Sequence, residues 1–396
     1  MPKEWPLTGL DRAELAAAGR RPVPFRQFIL KLTSGCNLAC DYCYMYTMAD
    51  QEWRTLPRVM APAVVRQSAA RISEHVSRHG LDRVEVVLHG GEPMLAGVAR
   101  LTEVTRVIRA AVPATTAVDF VMQTNGTLLD DTALAGLTAA GVRIAVSIDG
   151  DDRHRRGPDG ASSEVALLRG IKLLGSGKHR AWFAGILCVV DTALEPAAVY
   201  ARLCALDPPM LDFLLPHATW SRPPPAHSTA AAPYGRWLAE VFDLWYGSRS
   251  TRPGIRLFRE IIHLILGGRS ASEQIGLSPA ALVVINVDGR LEQVDTLRAS
   301  YPGAPATGMT VFADDLEAVL DHPAIVARQL GISGLCDTCR ACSLVEVCGG
   351  GHYAHRHRPG RGFLNPSVYC ADLAFLIRHV RARIGRDVAV LAEVAG

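Results

Sequence analysis

The chain has 396 residues and lacks any apolar run of about 18 residues, the length that a membrane-spanning helix requires. Residues 1–20 mix acidic and basic side chains without a continuous apolar core, which excludes a secretory signal peptide. An excess of one charge is also missing, because 42 lysines and arginines stand against 39 aspartates and glutamates. We therefore expect neither a membrane nor nucleic acid as a partner.

Ten cysteines are present, and 49% of the residues are apolar, enough to bury a large core. Without a signal peptide, these cysteines are expected in a reducing compartment, where closely spaced thiols bind metals more often than they form disulfides. The composition therefore predicts a soluble, cytoplasmic protein with a cysteine-based metal site. An allowance of about 150 residues per domain predicts two or three domains.

Strand-like apolar runs alternate with helical patterns from residue 25 onward, as in parallel α/β proteins. Six runs are typical of strands: 25–33, 83–89, 117–124, 143–148, 182–190 and 210–216. Each connection is long enough for a right-handed crossover, so the predicted fold class is α/β with a partial (β/α)6 TIM-like barrel. Such barrels place their chemistry in the turns after the strands.

A proline-rich link at 221–225 ends this alternation. Beyond it, Asp288-Gly289 between two apolar runs predicts a hairpin with strands 281–287 and 291–297. The exposed edge of that strand pair is a candidate binding site for an extended leader peptide. We predict four regions: an N-terminal segment 1–24, a barrel 25–220, a linker with a bridging helix 221–254 and a cysteine-rich domain with a C-terminal helix 255–396.

The first cysteine group is the loop Cys36-x3-Cys40-x2-Cys43, directly after the first predicted strand. Thiolates select zinc or iron–sulfur clusters, and three of them leave one metal position open. The alternatives are a zinc loop without its fourth ligand and unrelated buried thiols. The spacing does not suit zinc knuckles, which pair C-x2-C units, and therefore favours an iron–sulfur cluster.

The second cysteine group lies near the C-terminus and has five members: Cys336, Cys339, Cys342, Cys348 and Cys370. So many thiols in a short segment predict a metal site, and zinc is an alternative here because four thiolates satisfy it equally well. Cys188 and Cys204 lie in apolar patterns and are predicted to be core thiols.

The first loop resembles the signature of radical S-adenosylmethionine (SAM) enzymes. The resemblance implies that Cys36, Cys40 and Cys43 hold three irons of a [4Fe–4S] cluster, that SAM binds the fourth iron, and that SAM cleavage gives a 5′-deoxyadenosyl radical. The matching positions implied to contact SAM, or for Gln123 the adjacent substrate, are Tyr42, Gly90, Gly91, Glu92, Gln123, Asn125, Ser147 and Leu187.

Two groups of polar residues near the strand ends have more than one explanation. The polar residues at the strand ends are equally well explained as capping or turn residues. The basic run Arg153-His154-Arg155-Arg156 is either a solvated face or a support for the SAM carboxylate or an acidic peptide.

The C-terminal cysteines are similar to the SPASM extension of peptide-modifying radical SAM enzymes. Four of them match the ligands of its second auxiliary [4Fe–4S] cluster: Cys339, Cys342, Cys348 and Cys370. Cys336 is surplus and either replaces Cys339 or lies free nearby. Positions of the first auxiliary cluster carry other residues, among them Val294 and His352. The resemblance therefore implies one auxiliary cluster, and two clusters in total.

Asp295 follows Val294, at the position of a proposed catalytic base in sulfatase-maturing relatives. A carboxylate in a partly apolar barrel is expected to have a raised pKa, suited to accepting a proton. The alternative is an exposed aspartate beside a turn. His217 and Trp220, beyond the sixth strand, are further candidates for substrate contact.

Nearly the whole chain is similar to radical SAM/SPASM peptide maturases of the FxsB type, which are three-residue cyclophane-forming enzymes. The resemblance implies an oxidoreductase that abstracts a hydrogen from a side-chain Cβ of a ribosomally made precursor peptide and bonds that carbon to a nearby aromatic ring. A flavodoxin or ferredoxin is the expected electron donor. The alternatives are thioether or formylglycine formation and a non-catalytic, zinc-stabilised peptide-binding module.

Overall fold

The computed structural model describes residues 10, 12–225, 231–248, 253–270 and 272–395, with side chains up to residue 387. Parts of the predicted segment 1–24 and of the predicted linker 221–254 therefore lie outside the described residues. The strands are β1 (Gln27–Thr33), β2 (Arg83–Gly90), β3 (Ala117–Thr124), β4 (Val142–Ser147), β5 (Phe183–Val189), β6 (Met210–Leu214), β7 (Gly254–Ile255), β8 (Leu282–Ile285), β9 (Arg290–Glu292) and β10 (Ala306–Thr310). They form one sheet in the order β10-β9-β8-β1-β2-β3-β4-β5-β6-β7.

Helices follow most of the strands and continue to the C-terminus. They are α1 (Arg12–Ala17), α2 (Pro62–His79), α3 (Val98–Ala111), α4 (Asp131–Ala139), α5 (Glu164–Leu174), α6 (Pro196–Ala205), α7 (Pro233–Tyr246), α8 (Arg256–Ile265), α9 (Leu316–Leu320), α10 (Pro323–Gln329), α11 (Asp337–Arg340), α12 (Val345–Cys348) and α13 (Cys370–Ala395). Short 3-10 helices lie at Glu52–Thr55, Pro93–Ala96, Gly177–Trp182, Asp295–Ala299, Gly331–Gly334 and Tyr353–Arg356. Among the described residues, none of these helices is long and apolar enough to cross a membrane.

The six predicted βα units are present, and β1 to β6 pair in parallel and in sequence order. α2 shows how a unit is delimited: Pro62 begins it, and Gly80 ends it with a φ of +57°, the left-handed conformation of a helix C-cap. Its Ile72 and Val76 are buried in the same apolar core as Leu30 of β1. The strand–helix alternation therefore forms the barrel because each helix covers the sheet with one apolar face.

The strand pair around the Asp288-Gly289 turn differs from the prediction. β8 pairs in parallel with β1, Gln27 lying opposite Leu282, so it extends the barrel sheet. β9 pairs with β8 on one side and with β10 on the other. The prediction that this strand pair has a free edge for a leader peptide is therefore wrong, because β1 and β10 are already hydrogen-bonded to its two sides.

The 3-10 helix Asp295–Ala299 lies where the sequence predicts a continuing strand. Arg298 in this helix forms ion pairs with Asp50 (Nη1 to Oδ2, 3.2 Å) and Glu292 (Nη2 to Oε2, 2.6 Å). All three side chains are at most 3% exposed. The network joins the end of the loop after β1 to the hairpin, and burial makes each charge dependent on its partners.

Arg298→Met is expected to destabilise the protein by about 3–5 kcal/mol, because it leaves two buried carboxylates without a counter-charge. Thermal unfolding of anaerobically purified protein measures the loss. Arg83→Met is the matched control and should melt like the wild type, since Arg83 and its partner Asp119 are both exposed. Equal melting temperatures for the two variants would contradict a structural role for the buried network.

Candidate active site

A cavity of about 740 Å³ lies at the carboxyl ends of the barrel strands. Its volume is within the usual range for ligand pockets, about 300–1,000 Å³. Because the ends of parallel strands meet at one mouth, residues far apart in the sequence line it together. The predicted site residues in this lining are Cys36, Cys40, Tyr42, Cys43, Gly90, Gly91, Gln123, Asn125, Ser147 and Leu187.

The three cysteines of the first loop are free, partly buried thiols. The Sγ of Cys36 accepts a hydrogen bond from the backbone N of Leu38 at 3.3 Å. Burial raises the pKa of Cys40 to about 12 despite the nearby charge of Arg155, and it also raises the pKa of Cys36 and Cys43. Thiols of this kind lose their protons when a metal binds.

Single metal ions have other candidate sites in the molecule. Within the described residues, two sets of three potential ligands have all their ligand atoms within 4.8 Å of one another, and neither set contains a cysteine. A [4Fe–4S] cluster distributes its thiolates over separate irons. That Cys36, Cys40 and Cys43 are the ligands of this cluster stays a prediction.

The turn after β2 approaches the cysteine loop so closely that only glycine fits at position 91. A Cβ there would clash with the carbonyl oxygen of Gly35 and with the Oη of Tyr46. The backbone N of Gly91 donates to the carbonyl of Thr33 at 3.1 Å, and that of Glu92 donates to the carbonyl of Gly35 at 2.9 Å. The glycine turn therefore aligns the end of β2 with the start of the cysteine loop.

Glu92 joins the turns after β2 and β3. Its buried carboxylate accepts three hydrogen bonds, from the backbone N of Met94 (3.0 Å), Oγ1 of Thr124 (2.7 Å) and the backbone N of Asn125 (2.7 Å). Burial raises its pKa, and these hydrogen bonds oppose the shift. Its implied contact with SAM stays a prediction.

Polar side chains at the ends of β3 and β4 are tied to their neighbours. Nε2 of Gln123 donates to Oγ of Ser147 at 2.8 Å. Nδ2 of Asn125 donates to Oδ1 of Asn37 at 2.8 Å and lies 3.7 Å from the Sγ of Cys36. These bonds orient the side chains at the cavity wall, and their contacts with SAM stay a prediction.

A buried polar cluster around Tyr42 includes two residues that the sequence analysis did not assign to the site. The Oη of Tyr42 donates to Oδ2 of Asp149 and accepts from Nη1 of Arg155 at 3.2 Å. Oδ1 of Asp149 accepts from the backbone N of Val189 at 3.1 Å. Arg155 is buried and lines the cavity, unlike the other members of the basic run 153–156. The sequence shows the basic run but not which of its members is buried, because burial depends on contacts with residues distant in the chain.

Asp295 is 4% exposed and lies beside the cavity, not on a surface turn. Its Oδ2 forms an ion pair with Lys31, accepts from the Oη of Tyr44 at 3.0 Å and lies 4.0 Å from Nδ1 of His89. Burial alone would raise the pKa of Asp295, but the charge of Lys31 holds that pKa well below its usual range. The expected raised pKa is therefore wrong, because the sequence does not show that a lysine from β1 reaches this carboxylate.

The five C-terminal cysteines lie from the N-cap of α11 to the end of α12 and at the start of α13. Cys339 is hydrogen-bonded to Cys336, and burial raises its pKa to about 12 and that of Cys348 to about 11. The buried guanidinium of Arg356 lowers both values and is held by the carbonyls of residues 349–351. The surplus Cys336 thus lies beside a predicted ligand, and the choice of four ligands among the five stays a prediction.

The two candidates for substrate contact have different surroundings. His217 lines the cavity and packs against Tyr44, with ring centroids 4.8 Å apart. Trp220 is 38% exposed and absent from the lining. The predicted core thiols are confirmed, since Cys188 is buried in the core and Cys204 packs against it.

Comparisons with known proteins agree with this geometry. A model of the radical SAM superfamily matches residues 30–183, which contain the cysteine loop. The serine-type anaerobic sulfatase-maturating enzyme of Klebsiella aerogenes is 27% identical over 373 residues, 90% of this chain and 86% of that protein. The cysteine-type enzyme of Clostridium perfringens is 26% identical over 282 residues, 69% of this chain and 74% of that protein. The structure of native anSMEcpe with bound AdoMet and Cp18Cys peptide shares the fold, with a TM-score of 0.78 and 21% identity over 92% of this chain and 99% of that chain.

Residues 30–183 are therefore similar to the radical SAM superfamily, and the predicted α/β radical SAM fold is confirmed. The same match confirms SAM and a [4Fe–4S] cluster as the predicted cofactors. The matched segment ends before the C-terminal cysteines, so the number of auxiliary clusters stays a prediction. The relatives support a peptide maturase of the SPASM type, and the narrower cyclophane-forming type is not supported by them.

Lys31→Met is expected to destabilise the protein by about 3–5 kcal/mol, because it leaves the Asp295 carboxylate buried without its counter-charge. The double variant with Asp295→Asn removes both charges and should recover most of that loss. Thermal unfolding of the wild type, the two single variants and the double variant gives a double-mutant cycle, which measures the coupling between the two side chains. Additive losses would mean that the two side chains are not coupled.

Proposed function

We propose that this chain is a radical SAM enzyme that oxidises a side-chain Cβ of a peptide substrate by two electrons. The form with the most support is conversion of a serine or cysteine to formylglycine, since the similarity to anaerobic sulfatase-maturating enzymes covers most of the chain. The observation that carries the proposal is that one cavity is lined by the cysteine loop, the strand-end polar residues and Tyr44, which binds Asp295.

Cys36, Cys40 and Cys43 would hold the [4Fe–4S] cluster, and the polar groups at the strand ends would hold SAM. When bound, these cofactors would supply the removal of one hydrogen atom from a substrate carbon. Arg155 is a buried cation whose charge lowers the pKa of Cys40. It therefore favours the thiolate form that an iron–sulfur cluster requires.

Once the hydrogen atom has left, the substrate must still lose one electron and one proton. Asp295 is ionised because Lys31 lowers its pKa, and the same charge weakens the affinity of the carboxylate for a proton. Its candidacy as the proton acceptor therefore rests on its position beside the cavity. Tyr44 connects this carboxylate to the cavity, since it lines the wall and donates to Oδ2. The C-terminal cysteines would hold the auxiliary cluster that takes the electron, and a flavodoxin or ferredoxin would supply electrons to the first cluster.

Crosslinking of the cyclophane type is the second candidate, and a specific observation favours it. Val294 and His352 occupy positions that the SPASM pattern fills with cysteine ligands of the first auxiliary cluster, so the chain departs from that pattern at both positions. This reaction also begins with hydrogen abstraction at Cβ and also removes two hydrogens. The carbon then bonds to an aromatic ring two residues away, so only the product separates the two candidates.

The test is tandem mass spectrometry of a peptide that carries one serine and an aromatic residue two positions away, after anaerobic incubation with reconstituted enzyme, SAM and reductant. We expect a loss of two hydrogens at the serine, with every backbone bond still fragmenting. The matched peptide with alanine for serine should stay unchanged. Suppressed fragmentation across three residues would instead establish the crosslink. A colourless protein that carries zinc and no iron would support the non-catalytic peptide-binding module.

Asp295→Asn is expected to lower product formation by roughly 100-fold or more while 5′-deoxyadenosine still forms, because the amide cannot accept the proton. Both products are quantified by liquid chromatography and mass spectrometry. The double variant Lys31→Met/Asp295→Asn is the control for the lost ion pair. It should form as little product as the single variant Asp295→Asn. Undiminished product from Asp295→Asn would rule out the base role, and recovery in the double variant would assign the defect to the unpaired lysine.

A further inference from the structure

Three histidines converge on the cavity from two separate parts of the chain. His217 follows β6, and His352 and His355 lie at the 3-10 helix Tyr353–Arg356. Their ring centroids are 5.4 Å apart for 217 and 352, 5.5 Å for 217 and 355, and 4.9 Å for 352 and 355. One potential ligand atom from each residue lies within 4.8 Å of the other two. All three residues line the cavity.

Each of these imidazoles has a buried ring nitrogen that finds no hydrogen-bond partner among the described residues. The atoms are Nδ1 of His217, Nδ1 of His352 and Nε2 of His355. Buried polar groups are otherwise almost always paired, and an unpaired one costs free energy. Unpaired nitrogens on three imidazoles that each bring a potential ligand atom within 4.8 Å of the others indicate a partner that is not part of the protein.

The ring of His352 also contacts a residue outside the three histidines. Oγ1 of Thr296 lies 3.4 Å from Nε2 of His352, so its Nδ1 is the nitrogen left unpaired. A hydrogen bond to the far nitrogen is the usual way in which proteins orient a metal-binding imidazole. In the second set of three potential ligands, the members are already bonded to one another. There, the carboxylate of Glu317 already bonds His75 at 2.8 Å and His79 at 3.0 Å.

We propose that His217, His352 and His355 bind one divalent transition-metal ion, with Zn²⁺ as the ion that suits them best. Imidazole nitrogen is a preferred ligand of zinc, copper, iron and nickel, and three protein ligands with one open position are typical of catalytic zinc sites. The open position faces the cavity, because all three histidines line it.

This ion has a role that the iron–sulfur chemistry does not supply. Its open position binds a carboxylate, hydroxyl or thiolate of the substrate peptide as a Lewis acid, without any change in oxidation state. Tyr44 packs against His217 and donates to Asp295, so a peptide group bound there lies near the proposed proton acceptor. The substrate part of this inference rests on the proposed function, whereas metal binding does not.

The experiment uses the full chain, purified anaerobically, reconstituted with iron and sulfide and then equilibrated with Zn²⁺ at a buffered free concentration. Zinc and iron are counted by mass spectrometry, and the zinc environment is read from X-ray absorption at the zinc edge. We expect one zinc per chain with nitrogen ligands at about 2.0–2.1 Å. His352→Gln and His217→Gln should each weaken zinc binding by more than about 100-fold, beyond the effect of a lost outer-shell partner.

His79→Gln is the matched control and should bind zinc like the wild type, because Nε2 of His79 is already bonded to the carboxylate of Glu317. An iron content and a melting temperature equal to those of the wild type show that the variants keep their fold. Equal zinc binding by the wild type and His352→Gln, or sulfur as the main zinc ligand in the wild type, would overturn the proposal. If both cavity variants fail to fold, the ligands seen in the wild type decide alone: nitrogen supports the site and sulfur refutes it. Failure of peptide oxidation with zinc bound would count against the proposed function only.

Discussion

Two buried ion pairs hold the 3-10 helix Asp295–Ala299 against the loop that carries the first three cysteines. Asp295 pairs with Lys31, just before that loop, and Arg298 pairs with Asp50, just after it. Removing charges from water is expensive, so each pair is stable only while both partners stay in place. The loop is therefore fixed at both ends to one short helix. The position of the cysteines and the position of the proposed base thus depend on the same four charges.

The rest of the site is built on close backbone approach and on side chains that satisfy one another. The glycine turn after β2 lets the backbone of Glu92 bond to Gly35, and the carboxylate of Glu92 then holds the turn after β3. Thr124 and Asn125, which bond to this carboxylate, themselves line the cavity. The hydrogen bonds that join the two turns therefore also position residues of the cavity wall.

The C-terminal region brings two different sets of ligands to the barrel. Its cysteines, with the buried Arg356, suit an iron–sulfur cluster, whereas its histidines meet His217 of the barrel at the cavity wall. Position 352 is one that the SPASM pattern fills with cysteine, so a single residue type changes which metal the region can hold there. Because His217 follows β6, a metal at this point would join the two parts of the chain directly.

The sequence by itself determined the features that depend on neighbours along the chain. The period of apolar residues predicted the six parallel strands and their helices, and the spacing of Cys36, Cys40 and Cys43 predicted the radical SAM site. The polar residues at the strand ends were also predictable as part of this site, because parallel strands place their carboxyl ends at one mouth. Only the tertiary structure decided that β8 joins β1, that the carboxylate of Glu92 bonds to the turn after β3 and that Lys31 lowers the pKa of Asp295. It also decided that three histidines meet. These features depend on contacts between residues distant in sequence, and burial and charge at such contacts are properties of the folded chain.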